Sequence, residues 1–121
     1  WYALLLLKTA HATPLHDAAA EDDAGQIAKL IEAGSPTDTL DENQMTPLHV
    51  ASYWGSTDAV TALLSSGAAL EAWAPGVRMT PLHWACSQGH VEAARALLAA
   101  GAALEARDAG ERTPLHFASV R

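Results

Sequence analysis

Three side chains in this sequence stand close enough to suggest chemistry: His83, Cys86 and His90. Imidazole and thiolate are zinc ligands, but a closed structural zinc site takes four, and no matched second ligand pair accompanies these three. His83 and Cys86 also lie one helical turn apart, the spacing that brings a thiol near a base. Repetition argues against both uses. His16, His49, His83 and His116 all close the same tetrapeptide, Thr-Pro-Leu-His, and the place of Cys86 is held elsewhere by Ala19, Ser52 and Ser119. Residues that recur in every unit belong to the frame, and a small side chain at position 86 suits a packed site. The chain also lacks a glycine-rich phosphate loop and a Gly-x-Ser-x-Gly elbow. The expectation is therefore no catalytic residue, no metal and no cofactor.

The elements that position these groups follow from the same repeat. Thr-Pro-Leu-His begins at Thr13, Thr46, Thr80 and Thr113, at spacings of 33, 34 and 33 residues, and Gly34, Gly67 and Gly101 each follow their threonine by 21. Threonine caps the free amides of a helix start, and proline next to it gives up an N–H that would be unsatisfied anyway. A short helix is predicted from there to Gly55 or Gly89, glycines suited to a left-handed turn, with Asp22 in the same place in the first unit. A second helix follows. Its expected core stripe is Ile27, Leu30 and Ile31, then Val60, Leu63 and Leu64, then Ala94, Leu97 and Leu98. The later glycines stop it, and extended segments with turn-rich tips come next, at residues 40–45, 73–79 and 107–112.

This unit resembles the ankyrin repeat, on the strength of its period, the Thr-Pro-Leu-His-x-Ala opening (TPLHVA at Thr46), Gly89–His90, the Leu-Leu pairs at Leu63 and Leu97, and the GAALEA segments at Gly67 and Gly101. The resemblance implies an all-α solenoid of stacked helix-turn-helix units with projecting hairpin fingers. It also implies that each motif histidine bonds its threonine and the neighbouring loop. Residues 1–12 stand outside the repeats, which divide as 13–45, 46–79, 80–112 and a partial 113–121. Because a single unit cannot bury both faces of two short helices, stability must come from stacking. The register stops inside a first helix at Arg121, so marginal stability and a longer parent chain are expected. Where the family has glycine two residues before the threonine, this chain has Gln44, Arg78 and Glu111, and the second finger carries one extra residue near Pro75 and Gly76.

With 121 residues, half of them hydrophobic, the chain can build one core. Its apolar opening, residues 1–7, is far shorter than the roughly 20 residues that span a bilayer. One cysteine cannot form an internal disulfide, which favours an intracellular, cytoplasmic setting. A net charge of −7 argues against nucleic acid, whose binding depends on cations. Residues 13–45 hold eight acids against Lys29 and account for the whole of that charge. Such a solvated unit suits the uncovered end of a solenoid.

The surface remains. Helical geometry puts Leu48 and Ala51 on one side of the second unit's first helix and Val50, Tyr53 and Trp54 on the other. Val50, Trp84 and Phe117 share one place in successive units and should form a row. Apart from Trp1 and Tyr2, every aromatic residue falls on a first helix or a finger. This segregation points to a monomeric, non-catalytic module that binds a protein partner through its concave face. The expected contact residues are Tyr53, Trp54, Trp73, Arg78, Met79, Trp84, Ser87, Gln88 and Arg112. The rival expectation is the ankyrin portion of a larger enzyme or ubiquitin-ligase adaptor whose functional domain lies elsewhere.

Overall fold

The computed structural model describes residues 13–41, 44–73 and 77–118, with no side-chain description for residues 117 and 118. The expected segment 1–12, the finger tip at Pro75 and Gly76 and the Phe117 side chain lie outside the described residues. Among the described residues, seven helices run in the order α1 (Pro14–Ala20), α2 (Ala24–Glu32), α3 (Pro47–Trp54), α4 (Thr57–Ser65), α5 (Pro81–Ser87), α6 (Val91–Ala99) and α7 (Pro114–Ala118). The first helices α1, α3, α5 and α7 stack side by side, and the second helices α2, α4 and α6 form a parallel layer behind them.

Each first helix starts as its sequence dictates. The Thr13, Thr46 and Thr80 hydroxyls accept the amides of His16, His49 and His83, with proline in the first turn. In α3 and α5 the histidine ring returns the favour by accepting the cap threonine's own N–H, so histidine fills the role that glutamate plays in the usual capping box. Left-handed turns link the paired helices at Asp22 (φ 60°), Gly55 (72°) and Gly89 (74°).

Neighbouring units are locked by bonds that repeat in register. The Ser56 hydroxyl donates to the Ala20 carbonyl at 3.3 Å, and one unit later His90 Nε2 donates to the Tyr53 carbonyl at 2.9 Å. The His90 ring lies where a Cβ on Gly55 would sit, within 2.5–2.9 Å, so only glycine admits it. On the other side of the second helices, Asp38 accepts the Ala69 amide and Glu71 accepts the Ala103 amide.

The core differs from the expected stripes in three places. Val50 is buried together with Leu48 and Ala51, because a first helix is flanked by another on each side and has no single core face. Ala59 and Ala93 are fully buried although the expected stripes left them out, whereas Ala94, which they included, is half-buried. Leu98 is 42% exposed, since no second helix packs beyond α6 among the described residues, whereas Ile27, Val60, Leu63 and Leu97 are buried as expected. No helix among the described residues is long and apolar enough to cross a membrane.

Candidate functional site

The histidines are bound into the frame. Nδ1 of His49 accepts the Thr46 amide at 3.1 Å, which leaves the proton on Nε2, and that nitrogen donates to the carbonyls of Ala72 (2.9 Å) and Met79 (3.1 Å). His16 reaches the Met45 carbonyl and His83 the Arg112 carbonyl in the same way. Each ring ties its own helix start to the base of a finger. Burial lowers the His49 pKa to about 4, against the opposing pull of the two carbonyls, so the ring is neutral at neutral pH.

Cys86 is half-buried, and desolvation raises its thiol pKa, the opposite of what a nucleophile needs. His90, engaged with Tyr53, takes no part in a ligand set. Among the described residues, no three His, Cys, Asp or Glu side chains gather closely enough to hold a metal ion.

The expected contact residues fall into two groups and two exceptions. In the first group, Tyr53 stands between Trp54 and Trp84, edge-to-face with both at centroid distances of 5.5 and 5.3 Å. Such pairs add about 0.5–1.5 kcal/mol beyond simple burial. The group continues through Ser87, whose hydroxyl donates to the Trp84 carbonyl, and Gln88, whose amide donates to the Ser87 hydroxyl. All five are half-buried, and Trp54 and Trp84 also pack on the core, so they are less exposed than a purely solvent-facing pair would be. The buried Trp84 Nε1 has no hydrogen-bond partner among the described residues.

The second group is on the second finger. The Arg78 guanidinium lies 5.0 Å from the centre of the Trp73 ring, and Trp73 is 49% exposed. The exceptions are Met79 and Arg112. Met79 is buried and offers no surface, because the His49 bond to its carbonyl draws the chain inward just before the next helix. Arg112 is occupied by Asp108, with a side-chain bond and an ion pair both at 3.1 Å.

Two registers were not read in the sequence, although one of their members, Trp73, was named as a contact residue. Asp41 and Asp108 occupy the same place in the first and third fingers. Both are buried, and each accepts an amide four residues on. Burial acts to raise the Asp108 pKa, but the Arg112 and Gly110 amides and the Arg112 guanidinium outweigh it and hold the carboxyl below the usual range. Leu40, Trp73 and Arg107 likewise share one place in successive fingers, and all three are exposed.

The family model for ankyrin repeats (3 copies) matches residues 3–74 and 69–121. With that match, the capped helix pairs and the forward-reaching histidines, this chain belongs to the ankyrin repeat family, whose members generally serve as protein–protein interaction modules.

Proposed function

We infer that the chain binds a protein partner, without catalysis, through the side formed by its first helices and fingers. The observation that carries this reading is the partly exposed aromatic group of Tyr53, Trp54 and Trp84, continued by the polar side chains of Ser87 and Gln88. Clustered Trp and Tyr are the side chains that dominate binding energy at protein interfaces, and truncating one anchor there costs about 2 kcal/mol or more. They give large contact area at little cost in conformational freedom. Arg78 and the exposed part of Arg112, on the second and third fingers, are of the type enriched at such interfaces.

The test is capture of the partner with the intact chain, followed by affinity measurements on Tyr53→Ala and Ser87→Glu. Both substitutions should weaken binding by roughly 30-fold, corresponding to about 2 kcal/mol. Circular dichroism melts identify any part of the Tyr53→Ala effect that comes from lost packing. Unchanged affinity in both variants would move the interface to the second-helix layer.

A further inference from the structure

Resting on the protein-binding reading above, we propose that the Trp73–Arg78 pair on the second finger is a receptor for an acidic side chain of an extended partner segment, with aliphatic neighbours of that acid settling on the exposed apolar residues of the fingers. Three observations carry it. The first is geometric. The Arg78 guanidinium carbon lies 5.0 Å from the centre of the Trp73 ring, a cation–π contact, and a guanidinium held in this way can still offer N–H donors that bind a carboxylate in pairs. Arg78 has no carboxylate partner in an ion pair among the described residues, in contrast to Arg112, which is held by Asp108.

The second observation is conformational. Arg78 has φ 55°, in the left-handed region that glycine occupies freely and other residues occupy at a cost. Its position is equivalent to those of Gln44 and Glu111, which have φ 65° each. A side chain kept where the backbone would favour none is best explained by what the side chain does. The three fingers differ in charge at this place: neutral at Gln44, positive at Arg78, negative at Glu111. A preference for acid therefore belongs to the second finger alone, and the Glu111 carboxylate bars its extension to the third.

The third observation is the apolar surround. Trp73 and Val77 are 49% and 44% exposed, and Leu40, on the adjacent finger at the place equivalent to Trp73, is 51% exposed. An acid flanked by aliphatic side chains matches this combination of one cation and three apolar surfaces. A basic segment would meet Arg78 with like charge.

The experiment uses the full chain and two labelled peptides, one with two central glutamates flanked by leucines, the other with lysines in place of the glutamates. Fluorescence anisotropy should show binding of the glutamate peptide, weakening as salt rises, and a tenfold or larger preference over the lysine peptide. Arg78→Glu should reverse that preference, and Arg78→Gly should raise the melting temperature while losing the glutamate peptide. Equal binding of the two peptides, or a preference unaffected by Arg78→Glu, would overturn the proposal. Tyr53→Ala and Ser87→Glu separate the two readings. If they abolish capture of the natural partner while Arg78→Glu leaves it intact, the first-helix surface stands and the acid receptor falls.

Discussion

The second and third fingers have nearly the same length and are each clamped by the histidine of their own unit, but the third adds a buried carboxylate, and the Ala109 amide donates to the Val77 carbonyl across the two. The third is held from within: Asp108, 1% exposed, accepts the amides of Gly110 and Arg112 and binds the Arg112 guanidinium. Asp41 gives the first finger a similar turn, accepting the Met45 amide. No aspartate lies between Trp73 and Met79, and the second finger is held from outside, where His49 grips the carbonyls of Ala72 and Met79 together. The imidazole that holds one carbonyl in the third finger holds two in the second. The finger without an aspartate is also the one that displays Trp73 and Arg78, so its support and its display use separate residues. In the third finger, Arg112 serves the support while its side chain remains 55% exposed.

The largest test of this contrast is acidification. The folded pKa of His49, about 4, lies below its ordinary 6.5, so folding favours the neutral ring. Its contribution to stability is complete above about pH 6.5 and is lost as pH falls from there toward 4, because the unfolded chain takes up the proton first. The loss should approach roughly 3 kcal/mol at pH 4. Denaturant unfolding at pH 7 and pH 4.5 measures it, and the difference should shrink in His49→Gln. An equal drop in that variant would remove the clamp from the explanation.

The next effect is Asp108→Ala, which leaves two amides and a guanidinium without their acceptor. It should cost about 1–3 kcal/mol. Amide exchange at Gly110 and Arg112 should speed up while the Thr80 amide, bound by His83 at the close of the second finger, stays protected. Loss of protection at Thr80 as well would mean that the disturbance passes between the fingers, which the Ala109 amide joins to the Val77 carbonyl.

The smallest effect sharpens the contrast at the left-handed positions. Gln44→Gly and Glu111→Gly relieve backbone strain and should each stabilise by about 0.5–1 kcal/mol, read as a higher melting temperature. A fall in stability would mean that those side chains contribute to the finger fold.

Much of this architecture was legible because the signals are local and repeated. Threonine followed by proline marks every first helix, and the glycine offsets place the turns, since caps and positive φ depend on few neighbours. Burial was less legible where it depends on what stands beside an element. Val50 lies across the helix from Leu48, yet both are buried, because the wheel assumes one core and a stacked helix has two flanks. Met79 is apolar and on a finger, which fits exposure and burial equally, and the His49 clamp decides between them. The aspartates were readable in principle. Aligning the fingers puts Asp41 against Asp108, but attention to net charge treated the acids as a solvated surface. Tyr53 and Trp54 were identified together, while their partial burial depends on Trp84 from the next unit.

The cross-unit bonds involving side chains join residues 23–37 positions apart in the chain, and the strong helix contacts stay within a unit or between adjacent ones. Among the described residues, no side-chain bond or strong helix contact reaches past the adjacent unit. Assembly can therefore begin at any well-formed pair of units and spread outward one joint at a time. The His90–Gly55 joint lies between the second and third units, so a side chain placed at position 55 would loosen that joint and make the melt of the whole stack earlier and less steep.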